Sequence, residues 1–272
     1  MSEVNFKTKK SLGQHFLKND FIPKKMCSAA NLKPDDTVIE IGPGTGILTA
    51  EILKTAGKVI ALESDLRAIE ILKEKFIKEI SNNRLSVLKY DVRNFNINDI
   101  VKNETEKFKI VSNIPYYLTG ILFRKTLDNR RQPQIMVFLI QKEVAERISK
   151  ADKESLLSLS IKAFGSPKYI STVKRNHFTP PPKVDSAILA IDKISCNNFK
   201  SFSSHFFFSC LKLGFSQKRK QLLGNLTKMY ARYELYKIFE ELEIPTKIRA
   251  EDLSMEQWLL LTKYLVKLKR KY

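Results

Sequence analysis

At 272 residues, 43% hydrophobic and 28% charged, the chain is long enough for one large core, or one core with a small satellite unit, and too apolar to be disordered. Its formal net charge of +19 favours a polyanionic partner, because each lysine or arginine placed on a phosphate releases condensed counterions. Cys27, Cys196 and Cys210 are an odd number without Cys-x-x-Cys spacing, so no disulfide framework or zinc site is implied, and the longest apolar runs, such as 135–140, are far too short to span a membrane.

The first 25 residues carry six lysines against Glu3 and Asp20, and residues 1–10 have no apolar stretch of the secretory kind. A cytoplasmic, reducing setting is the expectation. From there strand-like and helical patterns alternate. Strands are predicted at 37–41, 58–63, 85–90, 108–112 and 134–140, with a helix at 47–53 and a clear one at 66–80, where Leu66, Ile69, Leu72, Phe76 and Ile80 recur at helical spacing. A helical pair at 141–149 and 154–164 follows. Two β-rich runs, 169–174 and 186–191, then flank a loop at 176–183. Alternation of this kind implies parallel βαβ units, and a seventh strand forming an antiparallel pair at the end is the layout of a class I methyltransferase rather than a dehydrogenase. Beyond about Ser195 the pattern turns all-helical. Phe202, Phe206, Cys210 and Leu213 share a helical face, and Ser254-Met-Glu-Gln257 reads as a capping box opening a helix with Trp258, Leu261 and Leu265. The Phe206-Phe207-Phe208 run is read as core in preference to a base-stacking platform.

Four strand ends carry the chemistry. Glu40-Ile-Gly-Pro-Gly-Thr-Gly46 closes the first strand and precedes a helix, so Gly42 and Gly44 let the backbone approach a ligand closely. A dinucleotide fingerprint would need glycine where Ile47 stands. The loop fits S-adenosylmethionine instead. Glu63 ends the second strand, 21 residues after Gly42, where a carboxylate can accept both ribose hydroxyls of a nucleoside cofactor. Asp91 ends the third and is placed to accept a bond from the adenine amine, although an aspartate before Val-Arg could equally cap a helix. The fourth ends in Asn113-Ile114-Pro115-Tyr116. This order suits gripping a planar exocyclic amine: the amide oxygen and a neighbouring carbonyl accept its N–H groups while the ring stacks.

With these residues assembled the chain resembles the ribosomal RNA small-subunit adenine dimethyltransferases over nearly its whole length. Lys10-Ser-Leu-Gly-Gln-His-Phe-Leu17 is similar to the family's Leu-Gly-Gln-Asn-Phe-Leu, and Asn113-Ile-Pro-Tyr116 to its Asn-Leu-Pro-Tyr. Gln141-Lys-Glu-Val-Ala-Glu-Arg147, Phe178-Thr-Pro-Pro-Pro-Lys-Val-Asp-Ser186, Phe215-Ser-Gln-Lys-Arg-Lys220 and Arg249-Ala-Glu-Asp-Leu-Ser254 are also similar to family strings. The chain departs from the family at His15, where asparagine is common, and at Tyr117-Leu-Thr-Gly120.

The resemblance implies a Rossmann-like seven-stranded methyltransferase domain at 1–195, with a basic N-terminal segment at 1–25, and a small helical RNA-binding domain at 196–272. It implies dimethylation at N6 of two adjacent adenosines in the 3′-terminal hairpin loop of 16S rRNA, within a pre-assembled small ribosomal subunit, and a role in that subunit's biogenesis. The expected catalytic group is Asn113, Pro115, Tyr116 and Phe178, the last closing over the flipped base or serving only as a hydrophobic lid. His15 and Leu17 join Gly42, Gly44, Glu63, Asp91 and Asn113 around S-adenosylmethionine, with His15 directed to the methionine portion. Lys218, Arg219 and Lys220, expected to open a helix, are candidate phosphate contacts or simply a solvated face, and Lys7, Lys9 and Lys10 are similar candidates. No metal and no membrane are expected, and a monomer is. The rival readings are a large-subunit rRNA adenine methyltransferase, a non-catalytic assembly factor, and a DNA adenine methyltransferase.

Overall fold

The computed structural model describes residues 15–103, 105–115 and 118–269. It opens with the two-residue strand β1 (Phe16–Leu17) and helix α1 (Phe21–Ala29). Then come β2 (Thr37–Ile41), α2 (Ile47–Leu53), β3 (Lys58–Glu63), α3 (Leu66–Lys75), α4 (Ile77–Ser81), β4 (Leu85–Lys89), α5 (Ile97–Ile100), β5 (Phe108–Asn113), α6 (Thr119–Leu127) and β6 (Met136–Gln141). After α7 (Lys142–Ser149) and α8 (Leu156–Lys162) the chain returns to β7 (Ser166–Val173), the short β8 (Phe178–Thr179) and β9 (Ser186–Asp192). The rest is helical: α9 (Ser204–Gly214), α10 (Leu222–Leu226), α11 (Arg232–Glu241) and α12 (Met255–Lys269).

Seven strands pair in the order β4-β3-β2-β5-β6-β9-β7, and β1 pairs with β8 in a separate ribbon. Strands β2 to β6 run parallel, and β9 is antiparallel to β6, with Met136 opposite Ile191 and Gln141 opposite Ser186. The expected α/β architecture with its helical C-terminal part is therefore present. Every residue of β2 is buried, as a central parallel strand requires, and this explains why Thr37–Ile41 reads as a near-continuous β-branched run. Winding reverses between β2 and β5, the place where an open sheet forms a crevice outside its strand ends.

The helix predicted over 66–80 is broken. Phe76 leaves helical geometry at φ −117°, ψ 35°, and a Cβ added to Gly46 would lie 2.6 Å from its ring. Packing that ring beneath the glycine loop outweighs continuation of the helical repeat.

The chain gathers into two compact units. One holds the described residues up to Glu146 together with Pro167–Ile194; the other holds Arg147–Ser166 and the described residues from Ser195 onward. Residues Arg147–Ser166, expected to belong with the sheet, group with the helices instead, because α8 packs on α9 and Phe164 joins Phe199 and Phe208 in an aromatic cluster. That cluster also takes in Phe207, so the phenylalanine run is core. The buried face of α9 is Phe207, Phe208, Cys210, Leu211 and Gly214, rotated from the expected Phe202, Phe206, Cys210, Leu213 stripe. Trp258 decides this: a Cβ on Gly214 would lie 2.4 Å from its indole, so the helix must turn its glycine edge to α12. The capping box before α12 is formed, with Ser254 N–H donating to Gln257 Oε1 at 2.9 Å and Gln257 N–H to Ser254 Oγ at 3.3 Å.

Candidate functional site

A cleft of about 340 Å³ opens at the C-terminal ends of β2, β3, β4 and β5. It brings together His15, Leu17, Gly42, Gly44, Glu63, Asp91, Asn113 and Pro115, residues spread over a hundred positions of sequence. The sheet explains the convergence. Pairing of β2 with β5 ends at Ile39 and Ile110, after which the strands part. The Ser112 hydroxyl then donates to the Ile41 carbonyl, holding the two strand ends together just before Gly42 and Asn113.

The glycine loop is shaped by what presses on it. Gly44 has φ +57°, and a Cβ there would sit 2.6 Å from the Phe16 ring. Gly46, at φ +77°, is hemmed in by Phe76 and Leu72 as it caps α2. Lys75 Nζ donates to the Thr45 carbonyl at 3.0 Å from below; burial pushes its pKa down, opposed by the charge of Glu40.

The Glu63 carboxylate accepts backbone N–H groups from Ser64 at 2.7 Å, Asp65 at 2.9 Å and Gly44 at 3.2 Å. It thus ties the end of β3 to the glycine loop and borders the cleft. Two carboxylate oxygens offer about four acceptor sites, so capacity for a further donor remains. Asp91 caps the short turn after β4: it accepts the Arg93 N–H at 2.9 Å and forms a 2.6 Å ion pair with the Arg93 guanidinium, which lowers its pKa. The cap reading of Asp91 is met, and the same side chain lines the cleft.

The Asn113 amide donates from Nδ2 to the His15 carbonyl at 3.2 Å, leaving Oδ1 as the acceptor end. The Pro115 carbonyl accepts the Leu118 N–H at 3.0 Å and keeps a second lone pair. His15 reaches the site differently from expectation, since its Nδ1–H donates to the Pro180 carbonyl at 2.8 Å. The β1–β8 ribbon supports that contact, with Leu17 opposite Phe178 and Phe16 opposite Thr179.

Three sequence-based assignments need correction or fall elsewhere. Phe178, expected to close over a base, is 1% exposed and belongs to the hydrophobic core beneath the ribbon rather than to the cleft wall. Pairing of β8 with β1 turns it inward. Lys218, Arg219 and Lys220 do not open a helix; they are exposed in the turn between α9 and α10, in the unit that does not hold the sheet. Tyr116, like Lys7, Lys9 and Lys10, lies outside the described residues.

Glu40 is the residue the sequence reading passed over, although it begins the glycine motif. It lines the cleft, is buried, and accepts the Thr49 hydroxyl at 2.6 Å. Burial raises its pKa to about 8, with the nearby charge of Glu63 acting in the same direction. Phe16 and Arg93 were missed as well, and each stood beside a residue that was named. Among the described residues no group of histidine, cysteine or acidic side chains could hold a metal ion, and no helix is long and apolar enough to cross a membrane.

The donor set fits S-adenosylmethionine. Acidic acceptors at Glu40, Glu63 and Asp91 surround a narrow loop that a Cβ on Gly44 would fill, which suits a cationic nucleoside with ribose hydroxyls and an adenine amine.

Comparison with known proteins agrees with this geometry. Residues 5–267 match the family model described as ribosomal RNA adenine dimethylase. The chain is 40% identical over 261 residues to a ribosomal RNA small subunit methyltransferase A from Dehalococcoides mccartyi, spanning 95% of this chain and 88% of that one. It is 33% identical to the protein of the same name from Fusobacterium nucleatum, over 96% and 98% of the two chains. Among solved structures, a dimethyladenosine transferase from Plasmodium falciparum superposes with a TM-score of 0.77 at 29% identity, covering 94% of this chain and 98% of that one. The 23S rRNA methyltransferase ErmE shares the fold, with a TM-score of 0.71 at 24% identity over 92% of this chain and 99% of that one. By sequence over nearly its full length, the chain belongs to the ribosomal RNA adenine dimethylase family.

Proposed function

We propose that this enzyme dimethylates N6 of two adjacent adenosines in the 3′-terminal hairpin loop of 16S rRNA, acting in the cytoplasm on a partly assembled small ribosomal subunit. The observation that carries the reading is the Asn113 amide, held through Nδ2 by the His15 carbonyl so that Oδ1 is its acceptor end, with Asn113 and Pro115 both lining the acidic, glycine-lined cleft.

S-adenosylmethionine, when bound, supplies an electrophilic methyl group. Glu63 and Asp91 would hold its ribose and adenine, and the glycine loop its methionine side. Asn113 Oδ1 and the Pro115 carbonyl accept the two N–H bonds of the adenine amine. Those bonds draw its lone pair out of the purine and aim it into the cleft. Tyr116, next in sequence, would stack on the base. The N6 proton becomes acidic as the new C–N bond forms and leaves to water, so no side chain has to act as a base. Orientation then accounts for much of the acceleration, about 7–11 kcal/mol for well-placed reactants. A loop adenosine suits such a site because it costs less to unstack than a paired one.

Methyl transfer from labelled S-adenosylmethionine to unmethylated small and large subunits tests the proposal. Label confined to two adjacent dimethyladenosines of the small subunit, and lost in Asn113→Ala, is the expected result. Label in the large subunit would overturn the substrate. Binding of subunit and cofactor without transfer would favour an assembly factor.

A further inference from the structure

We infer that the helical unit carries a stacking surface for unpaired ribonucleotides, built on Tyr233 and Tyr236 of α11 and on Met229 in the turn before it. The inference deepens the reading of the chain as an rRNA methyltransferase and rests on it. Helix α11 buries Leu235, Ile238 and Phe239. Its opposite side leaves Tyr233 60% and Tyr236 44% exposed, with Met229 62% exposed just upstream. The two tyrosines are i, i+3 neighbours on one helical face.

Cations frame that face. Arg232 and Lys237 are exposed beside the tyrosines, and Lys237 Nζ lies 5.9 Å from the Tyr233 ring centre. The basic turn at Lys218–Lys220 is tied to the segment that leads into α11. Asn225, fully buried, donates from Nδ2 to the carbonyls of Gly214 at 2.6 Å and Gln217 at 3.2 Å. Lys228 Nζ donates to Ser216 Oγ at 3.0 Å, which joins the turn to the approach to α11. Among the described residues the ion pairs of this unit lie elsewhere, between Lys153 and Glu251 or Asp252 and between Lys162 and Glu154. None of Lys218, Arg219, Lys220, Lys228, Arg232 and Lys237 is ion-paired among the described residues. Glu240, one turn on from Tyr236, borders the face, and Glu234 and Glu241 are the other acids of α11.

Exposed π-faces interleaved with unneutralised cations are what a single strand needs: bases stack on the rings while phosphates meet the cations. A neutral apolar partner would strand those charges in a drying interface. A duplex would reach the cations but hide its base faces from the tyrosines. Unpaired RNA uses both.

The test compares full-length Tyr233→Ala/Tyr236→Ala, Tyr233→Phe/Tyr236→Phe and Lys228→Ala/Arg232→Ala/Lys237→Ala enzymes, each shown to melt cooperatively. In methylation of small subunits, the alanine pair should raise the subunit KM at least about tenfold. Its kcat and cofactor KM should not change, and the phenylalanine pair should behave as wild type. In fluorescence anisotropy with a labelled unstructured oligoribonucleotide, the alanine pair should weaken binding without altering the salt slope. The triple cation variant should reduce that slope by about 2, at roughly 0.7 per single-strand phosphate contact. An unchanged KM and oligonucleotide affinity in the alanine pair would overturn the surface. So would a concentration-dependent dimer abolished by the same pair, which would make the patch a contact between copies. If wild type methylates no small subunit, the proposed reaction fails, and the anisotropy arm still decides the surface by itself.

Discussion

The side chain of Asn113 donates its amide hydrogen to the His15 carbonyl at 3.2 Å, joining the end of β5 to the ribbon strand that begins one residue later. This bond sets which end of the amide faces the cleft. Asn113→Asp would put a second oxygen against that carbonyl. We expect kcat to fall by about 10²-fold or more, as for other misplaced catalytic groups, while cofactor binding measured by equilibrium dialysis stays within a few-fold of wild type.

The His15 ring makes a separate contribution through its 2.8 Å bond to the Pro180 carbonyl. His15→Ala removes that donor and should cost about 1 kcal/mol, seen calorimetrically as a Tm lower by about 2–4 °C.

Gly44→Ala should be among the most damaging one-carbon changes in the cleft. The added Cβ would meet the Phe16 ring at 2.6 Å in a backbone conformation that disfavours it. A loss of about 1–3 kcal/mol in stability, together with weaker S-adenosylmethionine binding, is expected. Gly224→Ala in α10, where an added Cβ meets nothing within 4 Å, should be neutral or stabilising in the same denaturant titration.

Glu40 gives the cleft a pH dependence. Its pKa is raised from 4.5 to about 8 by burial, so the folded chain keeps a proton that the unfolded chain releases. Stability from this group is therefore greatest below pH 4.5, falls as pH rises toward 8, and levels off above. Binding of a cation in the cleft favours the ionised form, so cofactor affinity should rise from pH 7 to 9. Isothermal titration in buffers of different ionisation enthalpy should show proton release on binding. Glu40→Gln should abolish both the release and the trend.

Much of the architecture was legible locally. Strands β2 and β3 fall where their β-branched runs predicted, and the capping box at Ser254 forms as its spacing required. The glycine loop, Glu63, Asp91 and Asn113 could be placed together because parallel strands deliver their C-terminal ends to one edge. Glu40 was visible in the same motif and was passed over, because nothing local separates a carboxylate aimed into a cleft from one that begins a turn. The break at Phe76 and the rotation of α9 were not legible: Gly46 and Trp258, which impose them, are distant in sequence.

The sequence by itself determined the order of elements, the family and the chemistry of the cleft, since hydrophobic period, glycine spacing and motif residues are properties of short stretches of chain. Only the tertiary structure decided that Phe178 turns into the core, that Lys218–Lys220 form a turn pinned by Asn225, and which end of the Asn113 amide faces the cleft. Each of these is settled by a partner far away along the chain. Side-chain direction follows from whichever distant group is there to satisfy a hydrogen bond or fill a void, and no local pattern encodes that.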